Sequence, residues 1–125
     1  MSKKRRKAYD FGLLSESLAA FYLRAKGYKI LRHRYKSPFG EIDLIARRKN
    51  TVVAVEVKFR KKSDEGFGNI LETIHTKNQS RVERALLHFI AHHPVYAGDN
   101  FRFDVVCFSL PFSVRHLDNA WQART

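Results

Sequence analysis

Cysteine is nearly missing from this 125-residue chain: Cys107 stands alone, so no disulfide can form within it, and a reducing compartment is expected. Long apolar runs are missing as well. The longest aliphatic stretch, residues 52–55, is far below the roughly 18 residues that a membrane-spanning helix requires. The basic start Lys3-Lys4-Arg5-Arg6-Lys7 leads into Ala8-Tyr9-Asp10, where an export signal would carry an apolar stretch of about 7 to 15 residues. A soluble, cytoplasmic protein with no membrane partner is the expectation. With three prolines, six glycines, no repeat and no low-complexity segment, there is no linker on which to divide the chain. A hydrophobic share of 44% and an aromatic share of 13% argue against wholesale disorder, and this length can bury a core without staples.

Acidic residues are scarce. Twelve Asp and Glu face 24 Lys and Arg, for a formal charge of +12. The excess is not spread evenly. Residues 1–62 hold 18 basic and 5 acidic side chains, net +13, whereas residues 63–125 hold 6 and 7, net −1. Charge concentrated in this way points to a basic surface and makes nucleic acid the leading partner. Residues 1–8 are expected to be a flexible basic tail. Arg24, Lys26, Lys29, Arg32, Arg34, Lys36, Arg47, Arg48 and Lys49 are interleaved with core-forming residues and must decorate folded elements.

Phe11, Leu14, Leu18, Phe21, Tyr22 and Ala25 recur at spacings of three and four, which predicts an amphipathic helix over residues 9–26 with Gly27 just past its end. Residues 28–33 read as a short strand and Ser37-Pro38-Phe39-Gly40 as a turn. Residues 41–47 and 51–59 alternate with period two across the polar link Arg48-Lys49-Asn50, the pattern of a hairpin. Residues 61–69 read as a mobile loop. Val82, Ala85, Leu86, Phe89 and Ile90 predict a second helix over residues 73–93, stopped by Pro94. Residues 100–110 read as a strand and 113–117 as one more. The expected fold is α/β, one domain over residues 9–117 with a C-terminal tail from 118. Its mixed sheet of four to five strands is flanked by helices in the order α-β-β-β-α-β(-β).

The hairpin brings charges together. If Ile42, Leu44 and Ala46 face Val57, Val55 and Val53 across a two-residue turn, then Asp43 stands opposite Glu56, and like charges there repel. Lys58 lies on the same face, two residues along and opposite Glu41, and a divalent ion between the carboxylates would neutralise them. Hard oxygen ligands suit Mg²⁺ or Mn²⁺. A four-residue turn would instead pair Asp43 with Lys58 as a plain cross-strand ion pair, and spacing alone leaves both open.

Gly40-Glu41-Ile42-Asp43-Leu44-Ile45-Ala46 followed by Val55-Glu56-Val57-Lys58 resembles the Asp and Glu-x-Lys signature of the restriction-endonuclease-like nuclease superfamily. Residues 12–16, Ala19, Leu23, residues 27–31, Arg60, Lys77 and Arg102-Phe103-Asp104-Val105 extend the likeness to the uncharacterised bacterial YraN-type family, regarded as related to archaeal Holliday junction resolvases. The resemblance implies a restriction-endonuclease-like fold. It also implies Asp43 and Glu56 as metal ligands, with the Val57 carbonyl beside them and Glu16 supplementing the site from the first helix. Lys58 would orient water and stabilise phosphate charge. Ile42 departs from the proline that often precedes the first acidic residue.

The function expected is metal-dependent endonucleolytic hydrolysis of DNA, perhaps branched; the alternative is a non-catalytic nucleic-acid-binding module of the same fold acting with a protein partner. Symmetric cutting would favour a homodimer, though no residue marks an interface. Arg34, Lys36, Arg47, Arg48 and Arg60, with Lys77, Gln79 and Arg81 at the start of the second helix, are the candidate nucleic-acid contacts. His88 and His92, four apart, read as exposed helix histidines, and His33, His75, His93 and His116 show no informative spacing. Arg102 with Asp104 reads as a structural ion pair, Cys107 as core, and Phe67, Phe112 and Trp121 as packing residues rather than base-stacking ones.

Overall fold

In this computed structural model the structure describes residues 3–60, 76–109 and 113–121, with side chains described for 12–59, 78–109 and 113–121. The order is α1 (Lys3–Ala25), β1 (Lys29–Ser37), β2 (Gly40–Arg48), β3 (Thr51–Arg60), α2 (Thr76–Ala91), a short 3-10 turn at Pro94–Tyr96, β4 (Asn100–Ser109) and β5 (Ser113–Trp121). One five-stranded sheet runs β1-β2-β3-β4-β5 in space. Its pairs are antiparallel except β3 with β4, which are parallel and joined through α2. This is the single mixed α/β domain expected, with the optional fifth strand present.

The helix α1 begins at Lys3, earlier than the apolar pattern predicts, because Lys and Arg are good helix formers and Lys3–Lys7 can serve as its opening turns. Its end is set by Gly27, at φ 93°: the Gly27 N–H donates to the Arg24 carbonyl and the Tyr28 N–H to the Leu23 carbonyl, which caps the last carbonyls. Its buried face differs from the expected one. Ser15, Ala19, Ala20 and Leu23 face the sheet, while Leu14, Leu18 and Phe21 are exposed, Phe21 to 73%. Small residues let α1 approach the strands closely, and close packing outweighs the larger side chains' pull.

Two cores result. On the α1 side, Ala19, Ala20, Leu23 and Tyr28 pack on Leu44, Ala46, Val53, Val55 and Val106. On the α2 side, Val82, Ala85, Leu86, Phe89 and Ile90 pack on Ile42, Ile45, Val52, Ala54, Phe103, Val105 and Cys107, and Trp121 stacks on Phe103 at 5.1 Å. Ile42 and Ile45 share a side although three residues separate them, which strict alternation forbids. The strand therefore turns over near Asp43, and the expectation that Ile42, Leu44 and Ala46 share one face fails there.

Register confirms the two-residue turn. Leu44 pairs with Val55, Ala46 with Val53 and Arg48 with Thr51, and Lys49 takes the left-handed conformation (φ 55°) that a tight hairpin demands. The expected pairs of Ile42 with Val57 and Asp43 with Glu56 do not form: the ladder ends at Leu44 and Val55. β1 is longer than expected and shifts register against β2 between Ile30 and Arg32; beyond that His33 pairs with Leu44 and Tyr35 with Ile42, with no pair between Arg34 and Asp43. Arg34 has a positive φ of 49°. The loop expected over residues 61–69 and the first turn expected for the second helix, residues 73–75, lie outside the described residues. β5 continues past Leu117 to Trp121.

A candidate metal centre where the hairpin splays

Where the β2–β3 ladder stops, backbone groups that would have paired need other partners. The Asp43 carboxylate takes one of them, accepting the Val57 N–H at 2.8 Å. Two strands thus part around a side chain that holds both. On β3, Glu56 and Lys58 are two residues apart and share a side, and their Oε1 and Nζ atoms lie 3.2 Å apart with both side chains mostly buried. Glu16 reaches the same place from α1, where it accepts from Arg34 Nε at 2.9 Å.

The electrostatics are those of a crowded acidic site. The Asp43 carboxyl is pushed up from 3.8 to about 7, first by burial, then by the Glu56 charge, and further by Glu16. The Val57 N–H and the Lys58 ammonium act in the opposite direction and fall short. Four of the residues singled out in the sequence thus meet in one place: Asp43, Glu56, Lys58 and Glu16. Val57 enters through its backbone N–H. The plain pairing of Asp43 with Lys58 across a four-residue turn is not found, since Lys58 pairs with Glu56 instead.

The donor set consists of carboxylate oxygens, each also held by a protein cation or N–H, and this chemistry fits a hard divalent ion. Among the described residues, no group of three His, Cys, Asp or Glu side chains converges closely enough to hold an ion as it stands. Asp43, Glu56 and Glu16 are the carboxylates that could contribute to one, Glu56 now being paired with Lys58 and Glu16 with Arg34. Beside them a recess of about 320 Å³ is lined by Glu16, Arg34, Lys36, Glu41, Ile42 and Asp43.

The candidate nucleic-acid contacts divide by position. Arg34 and Lys36 line that recess, and Arg81 sits on α2 against the β1–β2 turn, its Cβ 3.1 Å from where a Gly40 side chain would begin. Lys36 and Arg81 are exposed, and Gln79 is half-buried two residues earlier on α2. Arg47 and Arg48 belong to the other end of the hairpin. Arg47 donates to both oxygens of Asp99, at 2.6 and 3.2 Å, and Arg48 lies over the Tyr28 ring while donating to the Lys26 carbonyl. The side chains of Arg60 and Lys77 lie outside the described residues.

A second polar cluster was only half legible. Asp104 is fully buried and accepts from Arg102 at 2.8 Å, as expected, but also from His116 Nε2 at 2.7 Å and the Asn119 N–H at 2.9 Å. Burial pushes its carboxyl up, yet the hydrogen bonds from His116, Arg102 and Asn119 more than offset this and hold it below 3.8. Spacing gave no hint of His116, because the contact crosses between β4 and β5. His116 Nδ1 accepts from Lys26 Nζ at 2.9 Å, which ties the end of α1 to this network.

Fold and site together define a small mixed α/β domain with a carboxylate–lysine cluster where its central hairpin splays. Residues 15–108 match the model of the uncharacterised protein family UPF0102. The chain is 41% identical to a UPF0102 protein of Parvibaculum lavamentivorans over 115 residues, covering 92% of this chain and 84% of that protein. It is 42% identical to one from a Chelativorans species, covering 96% and 94%, and 39% identical to one from Bradyrhizobium diazoefficiens, covering 99% and 90%. The chain belongs to the UPF0102 family.

Proposed function

We propose that this protein is a metal-dependent endonuclease that hydrolyses phosphodiester bonds in DNA, with branched DNA as a candidate substrate. The observation that carries the reading is the convergence of Asp43, Glu56, Glu16 and Lys58, with the Asp43 carboxyl pushed up to about 7 by burial first and then by its acidic neighbours. A site that disfavours its own negative charge gains most from a cation. Mg²⁺ or Mn²⁺, when bound, would supply an acidified water and neutralise phosphate charge. Asp43 and Glu56 would hold it, joined by Glu16 and the Val57 carbonyl.

The chain's own residues have separate tasks. Lys58, adjacent to both acids, places an ammonium where the attacked phosphate gains charge and can orient the attacking water. Arg34 balances Glu16 and positions that carboxylate. Lys36 and Arg81 present exposed cations near the recess for the flanking phosphates, contacts that fix position without reading sequence.

A binding module of the same fold, working with a protein partner, is the competing reading, and the pairing of Glu56 with Lys58 and of Glu16 with Arg34 favours it, since each acid is already balanced. Purified protein incubated with Mg²⁺ or Mn²⁺ on linear, flapped and four-way DNA decides between them. We expect metal-dependent product from wild type and none from Asp43→Ala. Equal product from both would reveal contamination and sink the catalytic assignment; no product from either, with DNA still bound, would support the binding module.

A further inference from the structure

Three histidines crowd the end of α2, His88 in its last turn and His92 and His93 just past Ala91, and they are not equivalent. His88 and His92 are four apart, so they rise from the same side of the helix. Their rings lie 4.2 Å apart, centroid to centroid, and tilt by only 31°. His92 Nδ1 is 2.8 Å from the His88 carbonyl oxygen, so Nδ1 must carry the proton and donate it, leaving the lone pair on Nε2. His88 Nδ1 is engaged as well, by the Tyr35 hydroxyl at 2.5 Å. Neither Nε2 has a hydrogen-bond partner among the described residues. His93 makes the informative contrast: its Nδ1 also donates to a carbonyl, that of Phe89 at 2.7 Å, but its Nε2 is taken by Arg32 at 2.9 Å.

This is the arrangement that imidazole ligands to a metal show, with one ring nitrogen held by the protein so that the other is aimed and basic. We infer that His88 and His92 form a two-histidine chelate for a late divalent transition metal, Cu²⁺ before Ni²⁺ or Zn²⁺, through their Nε2 atoms. Water completes the coordination, and the Tyr35 phenol oxygen accepts the His88 Nδ1 proton. Imidazole selects Cu²⁺, Ni²⁺ and Zn²⁺ over Mg²⁺ and Mn²⁺, so this site and the acidic one take different ions. The two stand independently: α2 carries the histidine pair, and β2, β3 and α1 carry the acids.

The test uses the full chain without a histidine tag and Cu²⁺ alone as probe, with affinity read by calorimetric titration and bound nitrogens counted by electron paramagnetic resonance. Wild type is expected to bind one Cu²⁺ through two imidazole nitrogens. His92→Gln, at an exposed position that leaves packing intact, and His88→Gln should each lose about tenfold or more in affinity and one nitrogen from the spectrum. Tyr35→Phe should weaken binding while keeping both nitrogens. His93→Gln and Asp43→Asn should match wild type. Unchanged affinity and nitrogen count in His92→Gln would overturn the assignment, as would loss of the ion in Asp43→Asn, which would place it on the acidic cluster.

Discussion

Burial and its acidic neighbours strain the Asp43 carboxylate electrostatically. Its carboxyl titrates near 7 when folded and near 3.8 when unfolded, so between those values the folded state holds the extra proton. Stability linked to this group is complete below about pH 4 and is lost as pH rises through 7. The loss is on the order of 4 kcal/mol in the absence of a cation. Thermal melts from pH 4 to 8 should show wild type falling relative to Asp43→Asn, with Mg²⁺ or Mn²⁺ restoring wild type alone at pH 8. A difference that does not change with pH would contradict this account. Asp104 is the opposite case, a buried carboxylate held ionised by its donors. Removing one, in His116→Ala, leaves a buried charge with a partner missing and should cost about 3 kcal/mol in urea unfolding, whereas Lys26→Ala at the exposed end should cost far less. Equal costs would show that the His116–Asp104 contact adds nothing.

At the scale of elements, the hairpin explains why the site was legible and why its geometry was not. The polar link and the alternation of residues 41–47 with 51–59 were enough to set a register that the structure reproduces from Leu44 to Arg48. They could not show that the ladder stops at Asp43, because the stop depends on a side chain taking a backbone hydrogen bond. Arg34 takes a positive φ opposite Asp43, while the register shift of β1 falls earlier, between Ile30 and Arg32, and no turn residue announces either. In α1 the periodicity identified the helix but not its buried side, since Ala19 and Ala20 read as weak core residues until a sheet is placed against them. Gly27 was legible as a helix stop, and its positive φ explains why: Gly27→Ala would force a Cβ into the left-handed region and should cost about 1 to 2 kcal/mol, read as a lowered midpoint in denaturant. No change in midpoint would mean that the cap at Leu23 and Arg24 is not holding the helix end.

Over the whole molecule, the charge imbalance and the acidic cluster are two aspects of one arrangement. Of the net charge of +13 on residues 1–62, +9 falls on α1, β1, β2 and β3, the same elements that supply Glu16, Asp43, Glu56 and Lys58. A cationic surface with an acidic centre can attract a phosphate backbone and still hold a divalent ion at one point on it. Not all of that charge serves the surface near the site. Arg47 and Arg48 are occupied at the far end of the hairpin by Asp99 and Tyr28, a division that sequence position could not reveal. On the function proposed, the cluster does the chemistry and the surface does the binding. Its most direct test is the Mn²⁺-dependent cleavage rate of one DNA substrate by wild type and Lys58→Ala, with DNA affinity measured on the same preparations. The account predicts a rate lowered by roughly 100-fold or more with affinity nearly unchanged. Equal cleavage rates, or a rate that falls only in step with affinity, would contradict it.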